Sequence, residues 1–316
     1  SNAFDIVGGE CRAVRENVGL LDITGFSRFE VSGPNAEAWL NSVFATKLPA
    51  PGRARLAVAL GHDGRLKGDL TLFNWGDGTW WIMGSYYLRR WHMRWFDDHM
   101  QDGVTIRDLG EEMAGFSLSG PNSKAVIERL TDGPVGDLPF MGCGAFDIGL
   151  VRARVGRLSV TGEAGYEISC RMGDHIALRR LLLAAGFQVN IREYGFNALL
   201  SLRLEKSFGI WSAEFTQLYT PGMTGMDRFM DWNRDDFIGH AAARAERDGN
   251  GPEKKLVTLA VQARDADASG YEPVWSGGRL VGFVTSGGYG HTTGQSLAMA
   301  MVNRDLCAEG TKLSVH

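Results

Sequence analysis

Phe29–Leu40 reads FEVSGPNAEAWL and Phe116–Ile127 reads FSLSGPNSKAVI, the same opening repeated 87 residues on (119 − 32, counted at its first serine). Each copy has an alternating strand, Phe29–Val31 or Phe116–Leu118, then a Ser-Gly-Pro-Asn turn and a run with helical apolar spacing. Pro34 and Pro121 suit the first helical position, where no N–H is required. Two matched strand–turn–helix units predict two structurally related modules.

Between the copies, RLAVALGHDGRLKGDLTLFNWGDGTWWIMG carries Asp-Gly turns at Asp63-Gly64 and Asp77-Gly78 with strand-like runs on either side. Ser85 is placed to cap a helix carrying Tyr87, Trp91 and Trp95 at i, i+4 and i+8, a spacing expected of a core face. Past the second copy come further strands, then the helical EYGFNALLSLRLEKSF, and then ERDGNGPEKK, whose charge, Gly and Pro mark a linker. Beyond the linker the pattern is strand alone, as in LVTLAV and SLAMAMV, the signature of a small barrel or sandwich. The fold class expected is therefore α+β with a β-rich C-terminal part.

At 316 residues the chain has room for two or three domains, and 44% hydrophobic with 22% charged residues is a globular composition. A formal net charge of −4 argues against nucleic acid as a partner. No apolar run reaches membrane-spanning length, and SNAFDIVGGE has no signal-peptide pattern, so neither membrane nor export is expected. Cys11, Cys143, Cys170 and Cys307 show no ligand spacing, and the seven histidines are scattered, so no metal site is expected and the thiols are read as reduced. GGYGHTTG follows a strand but precedes strand-like SLAMAMV, so no helix is there to receive a phosphate. Ser1, Asn2 and Ala3 read as a cloning remnant, with Phe4 where a native start would supply Met. With His316 falling in strand-like sequence, the chain is expected to be a piece of a longer polypeptide.

Three charged residues are hard to explain as scaffold. Asp69 interrupts GRLKGDLTLF, sharing a strand face with Arg65, Lys67 and Thr71 while Leu66, Gly68, Leu70 and Leu72 take the other. Asp is depleted within strands, so it is either a solvated partner of Lys67 or Arg65 or a carboxylate held rigidly for proton transfer. Arg203 borders the helical stripe Phe196, Leu200, Leu204 and Phe208, which suits a structural salt bridge or a bound anion. Glu167 follows Tyr166 in a strand entered through glycines, and is either a surface residue or a ligand contact.

These segments together resemble the glycine-cleavage aminomethyltransferase superfamily, most of all the C-terminal folate-binding region of dimethylglycine and sarcosine dehydrogenases. The resemblance rests on ECRAVRENVGLLDITGFSRFEVSGPNA, GDLT, TGEAGYEIS, SLRLEKSFGIW, TPGMTGMDRFM with DFIG, and GRLVGFVTSGGYGHTTGQSLAMAMV, in family order. It implies a three-lobed cloverleaf around a central ligand hole. Lobe one is 1–51 with 136–235, lobe two is 52–135 and carries Asp69, and 236–316 form the β-rich lobe.

The resemblance also assigns roles. Asp69 matches the catalytic carboxylate, with Thr71 beside it in the same motif. Gly84 matches a glycine that lets folate approach the backbone. Glu167, next to Tyr166, matches the carboxylate that reads the pterin edge, and Arg203 the arginine of the folate site. Val160 and Leu56 stand where relatives place tyrosines, and Leu200 where they place an acid.

The implied cofactor is tetrahydrofolate, with no FAD site in these residues and FAD in a covalently attached partner domain. The implied substrate is a methylated amine, such as dimethylglycine or sarcosine, or its iminium, yielding 5,10-methylenetetrahydrofolate. A free-standing aminomethyltransferase or demethylase and a non-catalytic folate-binding protein are the alternatives. The implied compartment is the cytoplasm, or the mitochondrial matrix in a eukaryote.

Overall fold

The structure, a computed structural model, describes residues 2–316. Helices and strands mix as expected, and the strands build one six-stranded and two five-stranded sheets. The chain resolves into two compact units. One holds the chain up to Leu40, Leu48–Leu56 and Leu70–Leu200; the other holds Asn41–Lys47, Ala57–Asp69 and Ser201–His316.

In the first unit the six-stranded sheet runs in the order Arg192–Glu193, Gly19–Asp22, Met113–Ser119, Gly165–Arg171, Val151–Gly156 and Cys143–Ile148. One face is apolar: Leu20, Phe116, Leu118, Tyr166 and Ile168 pack with Val126 and Ile127 of helix Ser123–Glu128 and with Leu178 and Leu182 of helix His175–Gly186. Each such buried side chain contributes about 1.5–3 kcal/mol. The opposite face is polar and carries the candidate site.

A five-stranded sheet follows the order Arg53–Leu60, Leu66–Asn74, Trp80–Gly84, Ser27–Ser32 and Thr105–Asp108. Both Asp-Gly turns form, with Gly64 at φ +74° and Gly78 at φ +85°. The tip of the first hairpin, Ala57–Asp69, belongs to the second unit.

The repeat is real as local structure. Strand Ser27–Ser32 leads to helix Ala36–Val43, and strand Met113–Ser119 leads to helix Ser123–Glu128. The prolines lie in the turn ahead of the helices rather than at their first positions. Glycine is required in both turns: Gly33 has φ +112° and Gly120 φ +134°. A Cβ at Gly33 would stand 2.3 Å from Gly103 O, and one at Gly120 would stand 2.6 Å from Asn17 O. Gly120→Ala is thus expected to lower unfolding free energy by roughly 1–3 kcal/mol, against about 1 kcal/mol for Gly78→Ala, whose Cβ meets nothing. Equal losses in denaturant melts would show that close approach adds nothing to the conformational strain.

The sheets divide the chain elsewhere than at residues 51 and 135. The first copy's strand shares a sheet with the Leu66–Asn74 strand, and the second copy's strand shares one with Gly165–Arg171. Two helical faces also differ from expectation. Helix Arg89–Asp98 buries His92 and Phe96, which stack on each other, while Tyr87 is exposed and Trp91 and Trp95 are half-buried. Ser85 precedes a short 3-10 turn and makes no side-chain cap. Helix Phe196–Leu204 buries Ala198, Leu199, Leu202 and Leu204 and leaves Phe196 exposed, because only part of the expected stripe meets a core.

In the second unit, helix His240–Asp248 ends at the expected linker and strand follows strand. The antiparallel sheet runs Lys254–Val261, Gln295–Asn303, Arg279–Gly290, Pro273–Ser276 and Ser314–Val315. Val274, Val281, Val284, Ala298, Ala300 and Val302 form its core. SLAMAMV is strand, as read. Among the described residues no helix is long and apolar enough to cross a membrane.

Candidate functional site

On the polar face of the six-stranded sheet, strand register sets residues side by side. Gly19, Ser119 and Gly165 form one row; Leu21, Ser117, Glu167 and Gly156 the next; Gly115, Ser169 and Arg154 a third. The glycines let other side chains pack close to this face: Val14 and Tyr194 at Gly19, Phe73 and Leu158 at Gly156, and Arg28 at Gly115. Ser117 and Ser119 hydrogen-bond each other at 3.1 Å, and Ser119 reaches Ser159 at 2.9 Å. The Tyr194 ring lies over Gly19, where a Cβ would stand 2.7 Å from Cδ1. Its buried hydroxyl makes no hydrogen bond of standard geometry with a described residue. Burial pushes that phenol up to about 12, although Ser119 and Ser117 lie near enough to pull the other way.

Glu167 is 7% exposed, which removes the surface reading. Burial pushes its carboxyl up to about 7, opposed by the charge of Arg28. No described residue donates a hydrogen bond to it. Keeping a largely buried carboxylate charged without a protein donor is unfavourable, and N–H groups of a ligand would offset that.

The other first-unit candidates are placed differently. Tyr166 points to the opposite face, 1% exposed within the core, its hydroxyl 3.5 Å from Gly136 O. A side-chain contact from Tyr166 to a ligand beside Glu167 does not fit that placement, because neighbouring strand residues alternate faces. Thr71 is half-buried and pairs with Met83. Gly84 has a packing reason for lacking a side chain: a Cβ would stand 2.4 Å from Leu70 Cδ2.

In the second unit Asp69 lies mid-strand and half-buried by surface, with its carboxylate deep enough among protein atoms that burial dominates. Burial and the charge of Glu214 push it up to about 7, and its own backbone N–H acts the other way. Arg65 is not its ion-pair partner, turning instead to Leu218 O and Asp63. A carboxyl poised near neutrality can both take and return a proton.

Arg203 is 5% exposed and pairs with fully buried Glu214, Nη1 to Oε2 at 3.1 Å. Glu214 also accepts from Ile210 N at 3.0 Å, Thr285 Oγ1 at 2.7 Å and Ser286 Oγ at 2.5 Å. Arg203 Nη1 donates further to Phe208 O, and Nε is buried without a partner. The salt-bridge reading of Arg203 is the one the geometry supports. Asp69 and Arg203 thus share Glu214 as an electrostatic neighbour.

Sequence reasoning missed Glu214, Arg28, Tyr194 and the serine row. Ser117 and Ser119 were legible, because they alternate with Phe116 and Leu118 in the repeated motif itself. Arg28 alternates with Phe29 in the same way, but that pattern reads as solvent exposure and the residue is 0% exposed. Glu214, in WSAEFTQ, sits in no periodic pattern at all. Among the described residues no cluster of His, Cys, Asp and Glu is arranged to hold a metal.

Comparison with known proteins bears on this arrangement. The GCVT N-terminal domain family matches residues 1–234, and the glycine cleavage T-protein C-terminal barrel domain matches 254–316. The chain is 30% identical over its whole length to dimethylglycine dehydrogenase of Mus musculus, of which it spans 37%. It is 28% identical to aminomethyltransferase of Bacillus subtilis, with 99% of this chain and 87% of that protein aligned. The solved glycine cleavage system aminomethyltransferase T from Bartonella henselae shares the fold, at a TM-score of 0.91 and 24% identity, with 98% of this chain and 85% of that one covered. The chain belongs to the glycine cleavage T-protein family.

Proposed function

We propose that this chain is a folate-dependent one-carbon transferase of the aminomethyltransferase type. The observation that carries the reading is Glu167, a buried carboxylate on the polar face of the sheet to which no described residue donates a hydrogen bond. A pterin edge offers two adjacent N–H donors, which one ionised carboxylate accepts as a fork. Reduced folate, when bound, supplies a nucleophilic nitrogen that takes up the one-carbon unit. Asp69 is the carboxylate that the family resemblance assigns to the transfer, and a carboxyl near neutrality suits two tasks. Ionised, it stabilises the cationic methylene donor; it also takes the proton shed by the attacking nitrogen and returns it to the departing amine.

Calorimetry with 5-formyltetrahydrofolate is expected to show one site per chain. Glu167→Gln should weaken it at least about tenfold, or about 1.4 kcal/mol, no more than one charged hydrogen bond. No binding by the unsubstituted protein at millimolar ligand would overturn the folate reading. Unchanged affinity in the variant would overturn Glu167 alone.

A second reading is that the same transfer completes oxidation of an N-methyl amine by a flavin module in a longer protein. The alignment with dimethylglycine dehydrogenase supports it. Formation of 5,10-methylenetetrahydrofolate from a lipoyl-bound aminomethyl group favours the transferase. Formation only when an N-methyl amine and its flavin dehydrogenase are supplied favours the second.

A further inference from the structure

Arg28 lies in strand Ser27–Ser32, is 0% exposed, and is within ion-pair distance of no described carboxylate. Its guanidinium crosses to the polar face that carries Glu167. Nε donates to Ser169 Oγ at 3.1 Å, and the remaining contacts go to the carbonyls of Phe26 at 2.9 Å, Ile23 at 3.1 Å and Thr24 at 3.2 Å. Gly115 makes the space: a Cβ there would stand 2.5 Å from Arg28 Nη2. Ser169 is two residues from Glu167 on the same strand face, so the two Cα atoms are about 7 Å apart. A buried cation without a contacting anion is costly, and this fold retains one next to its unpartnered carboxylate.

We infer that Arg28 is the positioning residue of the Glu167 site, the positive charge held through Ser169 on the same strand face that favours the carboxylate form of Glu167, the form able to accept two N–H donors from one ligand edge. The inference rests on the folate reading. The other groups facing Glu167 do not supply this charge: Tyr194 is neutral, and Arg154 is drawn away to Asp77 at 2.8 Å and over the Trp75 ring. Arg15 is paired with Glu163. The guanidinium bears on Glu167 by charge, and Glu167, with Cys170 and Asp22, in turn opposes the fall of Arg28 to about 10 that burial causes.

The test is the pH dependence of 5-formyltetrahydrofolate binding, followed by calorimetry from pH 6 to 9 in folded samples checked by thermal melts. In the unsubstituted protein affinity should rise with pH through a midpoint near 7. Arg28→Met should move that midpoint up by about one unit, leaving binding at least about fivefold weaker at pH 7 and nearly restored at pH 9. Arg28→Lys should keep the midpoint close to its original place. Gly115→Ala, which retains the charge but removes its space, should move it upward, as Arg28→Met does. If Arg28 only ties the Ile23–Phe26 loop to the sheet, melts will fall while the midpoint stays, and the inference fails. If the unsubstituted protein binds no folate analogue, the reading of the site fails instead.

Discussion

Asp69→Asn is expected to slow one-carbon transfer to folate by about 10²-fold or more while the protein stays folded. Asn preserves shape and volume but can neither take the proton of the attacking nitrogen nor offer a negative charge to a cationic donor. The pH profile carries the same information. If ionised Asp69 does the work, the transfer rate rises with pH through an inflection near 7, where burial and Glu214 set the carboxyl. The substitution removes that inflection along with the rate. Stability moves oppositely. The folded carboxyl titrates near 7 against 3.8 when free, so between those values the folded protein holds a proton that the unfolded chain has released. Its contribution is whole below 3.8 and is lost as pH rises through about 7. The Asn variant is spared that loss, so it should melt above the parent at pH 8, with the gap shrinking as pH falls toward 5. A variant that transfers normally but melts early would make Asp69 a structural residue.

The fold was legible wherever local chemistry and period agreed. The Ser-Gly-Pro-Asn turns, the Asp-Gly hairpins and the all-strand C-terminal part each carry a backbone requirement that the sequence states directly. Faces set by tertiary packing were not. Tyr87, Trp91 and Trp95 have the spacing of a core stripe, yet the helix rotates to bury His92 and Phe96, because an aromatic helix can satisfy more than one face. The site divided along the same line. Asp69 announced itself because a carboxylate mid-strand violates strand chemistry, and Glu167 because glycines surround it. Arg28 and Glu214 stayed hidden because the burial of a charge depends on partners distant in sequence, Ser169 for one and Arg203 with Thr285 and Ser286 for the other. Whether a charged residue is a ligand contact or a scaffold pair is decided by those partners. That is why both readings of Arg203 were open in sequence.

Glu214→Gln should lower unfolding free energy by about 3–5 kcal/mol, since it leaves Arg203 buried without its countercharge. Gln keeps an acceptor for Thr285 and Ser286 but sets an NH2 group against the Arg203 and Ile210 donors, so the loss measured in denaturant melts reports the countercharge together with those two hydrogen bonds. Replacing both partners, with Arg203→Met and Glu214→Leu, should recover much of the loss, because an apolar pair of similar volume carries no desolvation penalty. The same substitution has a second readout at a distance from stability. Glu214 raises Asp69, so in Glu214→Gln the inflection of the transfer rate should move below 7 while burial keeps it above the free value of 3.8. Folate affinity supplies the third. If Arg203 serves the fold through Glu214, the apolar double variant binds 5-formyltetrahydrofolate as the parent does. A loss of less than about 1 kcal/mol in Glu214→Gln would mean that the buried guanidinium is neutralised by something other than Glu214. An apolar double variant that folds but no longer binds folate would return Arg203 to the ligand.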